Sequence, residues 1–386
     1  MLEAEAGIDQ FLLTYGTYIP VLCDGVLLIV GRGERFYIGY SHRGIDLIKA
    51  DHLDWCQAID GQSSLNEIFS NCELTPSIAR TLIFLLDQNI LELASIEIRD
   101  GHTRGVMIQS EKNFLERAHS EIPEFRRMIA KDGRFISVDS SIKEIRNRST
   151  YRVFVIGENR LAMNIYSLLQ ASGYSDALLI ERESSRIKRA RAGRVVAGDI
   201  CGLYIRESDL SLPRSRVIEQ VHQSSALNRI VVKDEEKKDR MPSLVISTQT
   251  PPPDSVQRWM SEGTTHLVIS HPSDSQIEIG PLVIPGESPC IQCIYYSRDE
   301  SDPRFRAFEL ARMTDPPQEI SSGSVAYIAG LITILVKRFL ITGQSELLGA
   351  SWIIDLINPL NDPHVGSMLA HGRRLWSPHP ICGCIH

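Results

Sequence analysis

Short alternating and apolar runs at the start of the chain give way to helical periodicity. Val21–Val30, VLCDGVLLIV, places Asp24–Gly25 between two apolar runs and predicts a hairpin;. A second turn at Gly31–Gly33 leads into a strand over Arg35–Tyr40. Leu53, Cys56 and Ile59 then recur at helical spacing within Asp51–Ile59;. Ser64 and Glu67 make a capping-box pattern for a helix running through Phe69;. Thr75–Pro76 supplies an N-cap and a first-turn proline for a helix over Thr75–Asn89, and Ile90–Leu93 is expected to return as a wing strand;. Leu82–Leu86, LIFLL, is apolar on every side, so the third helix needs a cover beyond its own core;. That cover is either a bound segment or the neighbouring domain.

Past residue 98 the pattern changes. Arg99–Gly105 has no apolar periodicity and is expected to be an exposed link;. Ser110–Lys131 carries Phe114, Leu115, Ala118, Ile122 and Phe125 at helical spacing, and Ser140–Asn147 predicts a further short helix;. These helices are expected to connect two domains and are a candidate homodimer contact. From Tyr151 the chain reads strand, glycine, helix, strand and acid: Tyr151–Ile156, Gly157, Leu161–Gln170, Ala177–Ile180 and Glu181. This is the order of a dinucleotide-type βαβ unit. The boundaries expected are therefore 1–98, 99–150 and 151–386, with an α/β fold for the last.

The turn after the first strand is G-E-N-R-L-A, and only its first glycine matches a phosphate loop, whose glycines let the backbone approach phosphate oxygens;. Glu158 adds negative charge at a helix N-terminus that otherwise attracts anions;. Leu244–Ser247 predicts a strand, after which an ATP-using enzyme would offer a magnesium aspartate; the nearest acid, Asp254, is expected to cap a helix;. Six basic residues in Arg182–Arg194 suit a solvated helix face or an anion site;. His266 and His271 have no nucleophile or acid pair nearby in sequence and are expected to be structural;. The apolar run Val325–Val336 is expected to be a buried helix, too short to span a bilayer;.

Cys290 and Cys293 lie in a P-C-x-x-C turn, and Cys382 and Cys384 in C-G-C. Two short-spaced pairs fit a four-thiolate structural zinc site, with four reduced, metal-free thiols as the alternative. His379 and His386 flank the second pair and are alternative ligands. If the pairs meet, the last residues fold back onto the middle of the domain.

Charge decides one question. The chain carries a net charge of −7. Residues 1–100 hold 15 acidic and 6 basic side chains, while the remainder is close to neutral. A DNA-binding winged helix needs a basic face, which argues against nucleic acid. Peptide recognition by strand addition remains. The acidic start lacks a secretory pattern and the cysteines suit a reducing compartment, so a cytoplasmic protein is expected, not a membrane one;.

In element order and charge, residues 1–98 resemble the PqqD-like recognition elements that grip leaders of ribosomal peptide precursors. The resemblance implies leader contacts at Arg35, Phe36, Tyr37 and Ile38 on the strand, and at Ile78, Leu82 and Leu85 on the third helix. GPLVIPGESPCIQC, SVAYIAGLITILVKRFL and RRLWSPHPICGC resemble ThiF-like partner proteins of the cyclodehydratases in thiazole/oxazole-modified microcin and thiopeptide biosynthesis. That resemblance implies a ubiquitin-activating-type α/β domain with zinc on Cys290, Cys293, Cys382 and Cys384. It implies no ATP chemistry on this chain, and a separate YcaO protein that cyclises the precursor. The alternative is an active adenylyltransferase acting on a peptide or sulfur-carrier C-terminus.

Overall fold

The computed structural model describes residues 11–23, 25–95, 109–129, 138–180, 194–200, 205–227, 240–270, 276–314, 320–356 and 372–384. Asp24, the Arg99–Gly105 link, Glu181, most of the basic cluster (182–193), His271 and His386 lie outside these residues. The chain forms two compact units, Met1–Arg146 and Asn147–His386. Most of the helical connector expected over 99–150 therefore belongs to the first unit.

In that unit β1 (Ile19–Leu22), β2 (Leu27–Val30), β3 (Arg35–Tyr40) and β4 (Arg43–Ile48) precede α1 (Lys49–Gln57), α2 (Leu65–Asn71), α3 (Pro76–Asp87) and β5 (Leu91–Ala94). The expected β1–β2 hairpin does not form. β1 pairs antiparallel with β5, and β2 pairs with β3. The apolar residues of β1 are better buried against the strand that returns after α3. The capping box at α2 is present: the Ser64 hydroxyl accepts from Glu67 N, and the Glu67 carboxylate accepts from Ser64 N at 2.7 Å. Thr75 caps α3 and Pro76 opens it, as the sequence predicts;. One core gathers Phe36, Ile38, Leu47, Trp55, Leu82 and Leu85. Helices α4 (Gln109–His119), α5 (Ile122–Ile129) and α6 (Val138–Asn147) follow.

The second unit has a seven-stranded sheet in the order β12-β11-β10-β9-β8-β6-β7. Its strands are β6 (Val153–Ile156), β7 (Ala177–Ile180), β8 (Leu244–Ser247), β9 (His266–Ile269), β10 (Gln276–Val283), β11 (Ala350–Asp355) and β12 (Gly372–Leu375). The β7-β6-β8-β9 half is parallel, with α7 (Arg160–Ala171) crossing from β6 to β7, as a βαβ unit requires;. The β9–β12 half is antiparallel. Helices α8 (Arg214–Ser225), α9 (Pro253–Ser261), α10 (Ile291–Ser301), α11 (Phe305–Thr314) and α12 (Ser322–Thr342) complete it. At 21 residues α12 is longer than the apolar run suggests, and by length and composition it could cross a membrane. Here it packs on α7 and buries Ile328, Ala329, Ile332 and Val336 in the domain core.

Candidate functional site

The four cysteines converge. Cys290 is the N-cap of α10 and Cys293 lies in its first turn, where the helix end favours thiolate charge;. Strand β12 pairs with β11, and Trp376 N donates to Gly349 O at 2.8 Å, which returns the C-terminal segment to α10. Gly383 adopts φ 63°, a left-handed turn that lets Cys382 and Cys384 face the same point;. The Sγ atoms stand 3.8 Å apart for Cys290–Cys293, 3.4 Å for Cys290–Cys382 and 3.2 Å for Cys293–Cys384. All four fall within 4.8 Å of one another. A tetrahedron of zinc–sulfur bonds near 2.3 Å has edges of about 3.8 Å, so the donor set fits zinc.

The electrostatics agree. Burial pushes the Cys290 thiol well above its ordinary range and the Cys382 thiol up to about 11. Burial also opposes the Cys293 thiolate, but hydrogen bonds from the His379 backbone and from Cys384 outweigh it and hold that pKa below the ordinary value. A divalent cation relieves the cost of gathering four such groups. His379 is not placed as a ligand: its Nε2 meets Glu300 Oε1 at 3.0 Å, its Nδ1 accepts from Ile381 N, and its ring lies 5.1 Å from Tyr296. It braces the turn that carries the second pair.

The loop between β6 and α7 is closed by its own side chains. Asn159, the N-cap, accepts from Ala162 N at 2.9 Å and donates to Thr248 O at 3.1 Å. Thr248 Oγ1 lies 3.1 Å from Asn159 Oδ1, and a Cβ on Gly157 (φ 155°) would come within 2.1 Å of it. The absence of a side chain at Gly157 is thus required for the threonine to pack. Arg214 donates to Glu158 O at 3.0 Å and pairs with buried Asp199 at 2.7 Å. Sequence reading missed this plug, although an asparagine ahead of a helix is a recognisable N-cap signal. Asp254 is not the expected cap: Pro252 is the N-cap of α9, and Asp254 is exposed in the first turn. His266 is structural, as expected. It is fully buried, bonds Thr264 O at 2.9 Å and has its pKa lowered to about 4 by burial.

The expected peptide contacts divide by face. Phe36, Ile38, Ile78, Leu82 and Leu85 are buried in the core of the first unit, while Arg35 and Tyr37 alternate with them on the opposite face of β3;. β3 is the middle strand of β2-β3-β4, so its ladder is already filled on both sides and no guest strand can join it. Among the described residues, the unpaired edges of this sheet are β2 and β4. On α3 the exposed large apolar residues are Ile83 and Phe84, at 45% and 38% exposure.

No protein-family model matches the sequence, and comparison with curated proteins gives no match. Solved structures do match. E. coli MccB crystallised with ATP superposes with a TM-score of 0.58 at 11% identity, over 95% of this chain and 98% of that one. MccB with AMPCPP and selenomethionine MccA gives 0.59 at 11%, over 95% and 99%. The microcin C7 biosynthetic enzyme MccB in complex with N-formylated MccA gives 0.57 at 11%, again over 95% and 99%. At this identity the likeness establishes architecture: the chain has the fold of MccB along nearly its whole length.

Proposed function

We propose that this protein is a leader-binding adaptor of ribosomal peptide modification, which presents a precursor peptide to a separate, YcaO-type cyclodehydratase in the cytoplasm. The observation that carries the reading is the plugged β6–α7 loop. The helix N-terminus that would receive a phosphate is already engaged by Asn159, and Thr248 fills the space over Gly157. The acidic first unit, with its exposed apolar strand and helix positions, supports peptide binding over nucleic-acid binding;. The guest strand is assigned to an edge of the β2-β3-β4 sheet, where β2 carries exposed Leu27, Ile29 and Val30 and β4 carries exposed Ile48. The cysteine cluster holds structural zinc; its four protein donors leave no coordination position for substrate;.

A second reading, an ATP-dependent adenylyltransferase, draws on the likeness to MccB, which has been crystallised with ATP. Two measurements on the full chain separate them. A fluorescent leader from a neighbouring precursor gene should bind in the micromolar range or tighter, and ATP–pyrophosphate exchange should stay at background with or without it. Exchange above background promotes the enzyme reading, and no leader binding at about 50 μM removes the adaptor reading.

A further inference from the structure

Strand β12 lies at one end of the seven-stranded sheet, and its outer edge is unpaired among the described residues. Beside it runs a groove of about 740 Å³ between Leu375 and Trp376 on one wall and Arg298, Phe305 and Phe308 of α10 and α11 on the other. Phe308 and Leu375 are 55% and 70% exposed. A free edge next to exposed aromatic and aliphatic side chains is the arrangement used to capture an extended segment: its backbone joins the ladder, and alternate side chains enter the groove.

The charges select the guest. Arg298 stacks 4.9 Å from the Trp376 ring, but both oxygens of Glu278 neutralise it at 2.6 Å. Asp302, the carboxylate in the groove, is bound by Arg304 at 2.9 Å. Arg374 stacks 5.5 Å from the same Trp376 ring, is exposed, and meets no carboxylate among the described residues. Among the described residues, the side chain of its neighbour Arg373 donates to the Glu346 carbonyl at 3.4 Å. A second copy pairing antiparallel here would set Arg373–Arg374 against the same two arginines, and like charges opposite one another disfavour that ladder. An acidic strand gains where the copy loses.

We propose that β12 and the α10–α11 groove form a docking site for an extended, acidic segment of a partner protein, with aliphatic or aromatic side chains at alternate positions. The site belongs to the second unit and does not depend on leader binding by the first. The test uses the full zinc-loaded chain and two fluorescein-labelled octapeptides, one alternating glutamate with phenylalanine or valine and one with lysine in place of glutamate. Anisotropy should show the acidic probe binding at least 10-fold more tightly. Arg374→Glu should abolish that preference, and Phe308→Ser should weaken the acidic probe at least 5-fold, both with unchanged melting temperature because the side chains are exposed. Equal binding of the two probes, or an Arg374→Glu variant that still prefers the acidic one, overturns the assignment. A dimer in sedimentation that Phe308→Ser dissociates, or that Arg374→Glu strengthens, overturns it too, in favour of a second copy;.

Discussion

Leu82 and Ile83 are neighbours on one helix with opposite roles. Leu82 is 0% exposed and Ile83 is 45% exposed. Leu82→Glu would bury an unpaired carboxylate and should unfold the first unit, so it reports on stability and not on binding. Ile83→Glu should leave the circular-dichroism melt within about 0.5 kcal/mol of the parent, as surface changes do. It should nevertheless weaken leader affinity about 10-fold or more in an anisotropy titration if α3 flanks the guest strand. Cys290→Ser removes one of four converging donors. Zinc retained after dialysis should fall from about one ion per chain to none, because loss of a ligand exceeds the roughly 10–100-fold cost of losing an outer-shell partner;. His266 gives a pH signature. Burial lowers its pKa from 6.5 to about 4, so the folded state prefers the neutral ring. The associated stability is present above pH 6.5 and is lost as pH falls toward 4, with a total of about 3 kcal/mol. Urea midpoints measured from pH 7 to 4 should decline, and His266→Leu should flatten that decline.

Elements differ in how far their own residues specify them. The α2 capping box and the Thr75–Pro76 start of α3 are local chemistry, and both stand where the sequence places them. Ser64→Ala should therefore cost the first unit about 1 kcal/mol in a denaturant melt. The β1–β2 hairpin misled because Asp24–Gly25 permits a tight turn without compelling one. Four residues of β1 found more burial against β5, a partner some seventy positions away in the chain. The strand Arg35–Tyr40 was legible from its alternation, but alternation says nothing of neighbours. Only the later strand β4, where Ile45 and Leu47 alternate with exposed Gly44 and Asp46 over a run too short to stand out, made β3 central and moved the open edge;.

For the whole molecule, the C-terminal segment is the structural hinge of the second unit. It adds β12 to the sheet and supplies half of the cysteine cluster. Chelation should consequently lower the melting transition of this unit while the first unit, with its own core, keeps its transition;. Calorimetry with and without a zinc chelator distinguishes the two.

The sequence by itself determined the local signals: the capped helices, the βαβ order, the G-E-N-R-L-A turn and the two cysteine pairs, since each arises from residues a few positions apart. Tertiary structure alone decided that the pairs meet, that Thr248 reaches across ninety residues to close the loop behind Gly157, and which strand edges stay open. Those outcomes depend on which distant surfaces bury one another. No window of neighbouring residues contains that competition.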